Sequence, residues 1–158
     1  MQSKLAELDA IEHYADHLDR PVVPESSLRV EKMETLLAAV QAAPQVPMPV
    51  DVGIIDSAYI RAGWVKAGTV VVGHLLNEAV PLVLLKGEAI IAGADGAVHV
   101  TAPYVAINQP GTRRAMYAVT DCYALNAIFA QGQTVTQVEE RIIGDTSCLD
   151  YQQQPSSA

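Results

Sequence analysis

Residues 68–87 read GTVVVGHLLNEAVPLVLLKG, and the fold turns on how this stretch divides. Residues 69–76 are rich in β-branched and apolar side chains, residues 81–86 form a second apolar run, and Gly87 stops it. Two strands joined by a polar Asn77-Glu78 bend is the division those compositions predict.

The same punctuation continues outward. Short apolar runs at 59–65, 89–92, 97–101, 104–109, 114–119 and 123–130 are separated by Gly, Pro and Asp. The Ala94-Asp95-Gly96 step signals a hairpin, because Asp and Gly accept the positive φ of a tight turn. Many short strands at this spacing suit a double-sheet jelly roll. Thr136-Gln137-Val138-Glu139 reads as a capping box opening a C-terminal helix to Ile143, closed by Gly144.

Gly68, His74 and Gly87 fall on the frame Gly, five residues, His, one residue, His, three or four residues, Glu, six residues, Gly that marks the cupin superfamily. The chain resembles that superfamily, and more closely the small cupin-like proteins encoded by tailed bacteriophages. The latter carry Ala-Pro-Tyr followed by Pro-Gly-Thr-Lys-Arg, matched here by Ala102-Pro103-Tyr104 and Pro110-Gly111-Thr112-Arg113-Arg114. The likeness spans residues 47–143. It implies a mainly β, cupin-like double-stranded β-helix (jelly-roll) barrel with an N-terminal helical arm and a short C-terminal helix. It also locates the metal ligands such proteins use. In one register they fall on Leu76 and Val80, in the other on Leu76, Ala79 and Val80, and a further His position falls on Arg114. Each of these residues lacks a ligand atom or brings a permanent cation, so the resemblance implies a barrel with no metal and no other cofactor.

Upstream of the barrel, Leu8, Ile11, Ala15 and Leu18 repeat at helical spacing, and Val30, Met33, Leu37 and Val40 do so again. Pro21 and Pro24 separate the two helices. Pro44, Pro47 and Pro49 make residues 44–51 an extended strap. The predicted organisation is a helical arm and strap over 1–49, a barrel over 50–144 and a tail over 145–158. Each helix carries an apolar stripe that something must cover. Leu8, Ile11, Leu18, Val30, Met33, Leu37 and Val40 are therefore candidate contacts with a partner or a second copy.

With 158 residues, half of them hydrophobic, the chain is long enough for one domain with a sizeable core. Its hydrophobicity comes from Ala and Val, with one Trp and one Phe. A net charge of −8 argues against nucleic acid as a partner, since phosphate binding needs a basic face. No run of about 18 apolar residues is present to span a membrane. Residues 1–9 lack an apolar signal region, which predicts a protein made in the cytoplasm and not secreted. Cys122 and Cys148 are too few and too far apart for a disulfide framework and read as free thiols.

Candidate chemistry is sparse. Alternation puts Val70, Val72, His74 and Leu76 on one face, and in a cupin the Leu76 face looks into the barrel. His74 and Arg114 are thus the candidate polar contacts of a cavity. A single imidazole does not hold a metal ion, which needs three or four protein ligands. His13 and His17 are four apart but lack a third ligand. His99 should point away from Val98 and Val100, toward solvent or a sheet interface. Arg113 and Arg114 could grip a carboxylate or phosphate in a fork, or pair with Glu78, Asp121 or another surface acid. No nucleophile elbow, phosphate-binding loop or Cys-His pair at informative spacing is present.

The leading expectation is a non-enzymatic protein. The missing ligands, the two uncovered stripes and the strap suggest a homo-oligomer. The phage resemblance implies a virion structural component, a capsid decoration or cement protein whose partner is the major capsid protein or another virion component. Two alternatives stay open: a module binding a small sugar or carboxylate through His74 and an arginine, and a residual metal-dependent oxygenase or isomerase.

Overall fold

The computed structural model describes residues 27–93 and 96–144, with the side chains of Ser27 to Val30 left aside. Leu8, Ile11 and Leu18, the side chain of Val30, the Ala94-Asp95 step, His13, His17, Cys148 and the tail lie outside the described residues. Helix α1 (Ser27–Ala42) leads through the strap to β1 (Val50–Ile55), β2 (Ala58–Val65), β3 (Val70–Val72), β4 (Val80–Lys86) and β5 (Glu88–Gly93). There follow β6 (Gly96–Thr101), β7 (Tyr104–Asn108), β8 (Ala115–Ala118), β9 (Cys122–Phe129) and α2 (Val135–Ile142). A five-stranded sheet runs β1-β2-β9-β4-β7 and a four-stranded sheet β3-β8-β5-β6. All pairings are antiparallel. The chain crosses repeatedly between the sheets, which is the jelly-roll architecture predicted from the strand spacing.

Two hydrophobic clusters fill the space between the sheets. One gathers Val65, Leu84, Ala89, Ile91, Val100, Ala118 and Cys122. The other gathers Tyr59, Val80, Ala130, Val138, Ile142 and Ile143, so that α2 closes one end of the barrel. Cys122 is a buried free thiol whose Sγ reaches the carbonyls of Glu88 and Thr120. Both frame glycines are required by conformation: Gly68 and Gly87 have φ of 81° and 97°. At Gly87 a Cβ would also stand 2.5 Å from the Asp121 carbonyl oxygen.

Three sequence expectations need correction. Strand β1 begins in the last two residues of the expected connector, 44–51, and runs on through residues 52–55, where no strand was expected. Asp56, at φ 53°, turns the chain so that β1 pairs with β2 from Val50↔Gly63 to Ile55↔Ala58. The strand predicted over 69–76 ends at Val72. Gly73 still donates to the Arg114 carbonyl (2.7 Å), but the following backbone finds separate partners: Leu76 N reaches Thr112 O, Gly111 N reaches Leu76 O, and Gly144 N reaches Leu75 O. Leu76 forms an isolated bridge with Ile143. The capping box sits two residues earlier than predicted. Thr134 and Gln137 exchange the reciprocal bonds, and Ile143, in extended conformation, replaces Gly144 at the C-cap. The sequence satisfies the box pattern in both registers, and the structure uses Glu139 inside the barrel instead.

Helix α1 lies against β3 of its own barrel. Met33 is buried, while Leu37 and Val40 are half-buried. Arg113, 4% exposed, fastens the helix: its Nε donates to Glu34 Oε1 (3.1 Å) and an η nitrogen donates to the Gly73 carbonyl (2.9 Å).

Candidate functional site

Between the sheets is a cavity of about 220 Å³, smaller than the ~300–1,000 Å³ typical of pockets for drug-sized ligands. Most of its wall is aliphatic or thioether, with Val71, Leu82, Ile91 and Met116 contributing from both sheets and Met48 from the strap. His74 and Arg114, the two candidates from sequence, both line it. They arrive by different routes. Arg114 precedes β8 and its aliphatic stem passes over Gly93, where a Cβ would meet Cγ at 3.4 Å. His74 comes from the irregular segment after β3, where strand alternation no longer holds: Val71, Val72 and Leu76 line the same cavity.

The remaining polar lining came from residues that the sequence analysis did not offer as cavity contacts. Glu139 of α2 is 6% exposed and accepts from Tyr59 Oη at 2.9 Å and from an Arg61 η nitrogen at 3.2 Å. Burial first, then the hydrogen bond to Glu139 and its negative charge, push the Tyr59 phenol up to about 12, against a smaller opposing pull from Arg61. Tyr59 is therefore a fixed hydrogen-bond donor near neutral pH. Asn126 Nδ2 donates to the Pro81 carbonyl at 2.8 Å, and Thr112 Oγ1 to the Gln109 carbonyl at 2.6 Å. These groups are matched to one another, and they shape the wall.

Two groups are left in a different condition. Among the described residues Arg114 makes one long hydrogen bond, to the Ile107 carbonyl at 3.5 Å. Asn108 Oδ1 is buried with no hydrogen-bond partner among the described residues. A buried acceptor without a donor costs roughly 1–3 kcal/mol, so a donor supplied from the cavity would recover that loss. Inward alternation was the available sequence signal for Arg61 and Asn126, since Tyr59, Arg61, Gly63 and Val65 share one face of β2 and Asn126 pairs with Arg61. An arginine between Ile60 and Ala62 instead reads as the solvent side of a strand, which hid it.

The adjacent arginines separate cleanly: Arg113 holds α1 and Arg114 enters the cavity. Glu78 and Asp121, offered as their partners, are taken by Arg141 (2.5 Å) and Lys66 (3.1 Å). His99 is exposed and pairs with Glu88 at 2.6 Å on the outside of the four-stranded sheet.

The described residues that line the cavity do not fit a metal ion. Among the described residues no three His, Cys, Asp or Glu side chains converge. Of the positions the resemblance assigns to ligands, Leu76 packs on the second core cluster, Ala79 is exposed and Val80 is buried in that cluster. Among the described residues no donor set of the kind that holds zinc, iron or manganese is built around His74.

No family model and no curated protein matches the chain. Solved structures similar to it include a cupin superfamily protein from Desulfitobacterium hafniense, 16% identical over 72% of this chain and 94% of that one, with a TM-score of 0.47. Ectoine synthase from P. lautus is 12% identical over 68% and 81%, with a TM-score of 0.49. Salicylate 1,2-dioxygenase from Pseudaminobacter salicylatoxidans is 10% identical over 73% of this chain and 36% of its own, also at 0.49. These are likenesses of fold, to cupin and double-stranded β-helix proteins.

Proposed function

We propose that the barrel is a non-enzymatic binding module for a small carboxylate carrying a hydroxyl or amino group. The observation that supports this reading is the pairing of needs inside one apolar cavity. The Arg114 guanidinium has a single long bond to Ile107, and Asn108 Oδ1 lacks a donor. A carboxylate accepts two parallel N–H bonds from a guanidinium fork. A hydroxyl or ammonium on the neighbouring carbon supplies the donor that Asn108 lacks. Arg61 compensates the charge of Glu139 and Tyr59 donates a hydrogen bond to it, which weakens its repulsion of the anion. Calorimetric titration with glycolate, lactate and acetate tests the reading. Saturable binding is expected, tighter for the hydroxy acids than for acetate, with affinity falling about 10-fold or more in Arg114→Met, as loss of a charge-assisted bond implies. Binding that is unchanged in Arg114→Met would refute it.

A second reading keeps the structural role implied by the likeness to phage proteins, a capsid decoration or cement protein on a virion. Exposed apolar surface favours it: Trp64, Leu85, Ile55 and Phe129 are 40%, 47%, 68% and 63% exposed. The fold accommodates that role, and its phage part rests on the sequence motifs alone. Proteomic analysis of purified virions tests it, and absence of the chain from the particles would end it.

A further inference from the structure

We infer that the ligand of the cavity, granted the carboxylate reading on which this step rests, is a 2-hydroxy acid with a short aliphatic chain, ethyl or isopropyl. The strand register sorts the cavity wall by polarity along the barrel. On the inner face of the five-stranded sheet, successive cross-strand rows are Tyr59 with Ile128, Arg61 with Asn126, and Gly63 with Ala124. The polar side chains occupy the first two rows, where Tyr59 and Arg61 meet Glu139 of α2. Asn108 belongs to the same end: it pairs with Val80, which shares a hydrophobic cluster with Tyr59. Arg114 reaches the carbonyl of the neighbouring Ile107. From the third row onward the wall is apolar. On the four-stranded sheet Val71, Met116 and Ile91 pair side by side. Val71 and Met116 pack on the same hydrophobic cluster as Ala124, and Ile91 is a member of it.

Gly63 and Ala124 leave the third row nearly without side chains, and the room they leave is lined by aliphatic and thioether groups. A carboxylate held by Arg114, with its hydroxyl donating to Asn108 Oδ1, therefore turns its remaining substituent toward an apolar wall. Volume limits that substituent. At a water's share of about 30 Å³ per heavy atom, a cavity of about 220 Å³ takes roughly seven heavy atoms. Glycolate and lactate underfill it, and an ethyl or isopropyl chain completes it. Met48 and Met116 are unbranched and polarizable, so they adapt to a branched chain. The same chemistry favours a hydroxyl over an ammonium on the second carbon. An ammonium would bring a further buried charge to a neutral amide oxygen, and a buried charge without an opposite partner costs far more than a hydrogen-bonded hydroxyl.

Calorimetric titration of the full-length chain with a graded series tests this: glycolate, lactate, 2-hydroxybutyrate, 2-hydroxyisovalerate and 2-hydroxyoctanoate, with valine as the amino counterpart. Affinity should rise about fourfold per added carbon as far as the isopropyl group, so that 2-hydroxyisovalerate binds about 15-fold tighter than lactate. The octanoate exceeds the volume and should bind more weakly than 2-hydroxyisovalerate, as should valine. Arg114→Met should weaken every acid of the series by a similar factor and keep the slope per carbon. Ala124→Val narrows the third row and should weaken 2-hydroxyisovalerate more than glycolate. The wild-type series stands even if Ala124→Val fails to fold. Binding of glycolate that depends on Arg114 but does not tighten with chain length would overturn the inference and leave the carboxylate reading in place. An affinity still rising at 2-hydroxyoctanoate, or valine binding as tightly as 2-hydroxyisovalerate, would overturn it in the same way. Failure of every acid in the series to bind would overturn both.

Discussion

The two faces of the five-stranded sheet reverse the usual arrangement of a β-protein. On β2, Arg61 turns inward while Ile60 and Trp64 turn outward; on β9, Asn126 turns inward while Leu125, Ala127 and Phe129 turn outward. The inner face can hold polar groups because nearly all of them are matched: Glu139 with Tyr59 and Arg61, and Asn126 with the Pro81 carbonyl. Among the described residues the outer face has no comparable polar network, and its apolar side chains, Ala62 apart, remain half-buried or exposed. Hydrophobicity alone therefore does not decide which way a strand faces. Hydrogen-bond satisfaction inside the barrel sets the register, and the outer face takes the residues left by alternation.

The strongest way to break this comparison is to remove the carboxylate on which the inner network converges. Glu139→Ala should cost about 2–4 kcal/mol, slightly less than the usual loss for a broken buried pair because Arg61 keeps partial exposure. The urea midpoint measures it, and the Arg61→Met/Glu139→Met double variant should lose less than the single one. A Glu139→Ala protein as stable as wild type would mean that the inner polar groups are not held by one another. Removing Arg113 tests the contrast between the sheets, since this residue ties α1 to the Gly73 carbonyl just past β3, an edge strand of the four-stranded one. Arg113→Ala should cost about 1.5–3 kcal/mol, the range for hydrogen bonds to charged groups. Amide exchange should accelerate in α1 before it does in β9.

Alkaline titration sharpens the same point more gently. The folded Tyr59 phenol is raised to about 12 from an ordinary value of 10.0. Its contribution to stability is present below pH 10 and is lost as pH rises through 12, because the unfolded chain releases that proton earlier. Stability should fall across that window, and Tyr59→Phe should flatten the fall. The smallest effect is expected outside the barrel. His99→Ala removes an exposed side-chain contact with Glu88 and should change stability by less than about 1 kcal/mol.

Much of the fold was legible because turn chemistry is local. The Asn77-Glu78 bend, the glycines at 68 and 87 and the strand runs on either side follow from the preferences of a few neighbouring residues. Strand β1 was not legible, since prolines in the strap masked a run that becomes a strand only by pairing with β2. The early end of β3 depends on backbone partners at Thr112 and Gly144, distant in sequence. In the cavity, His74 and Arg114 could be found from motif position. Glu139 and Asn108 could not, because each reads as a surface residue until tertiary packing turns it inward, and Arg61 had only the alternation along β2 to mark it.

The central claim is that the polar groups left unmatched inside the barrel wait for a small anion, and side-chain NMR tests it most directly. In a titration with lactate, the Arg114 Nε–H and Asn108 side-chain amide signals should move together and saturate, while the Arg113 Nε–H signal stays in place. Resonances of Arg114 and Asn108 that do not respond, or a response confined to exposed lysines, would contradict the account.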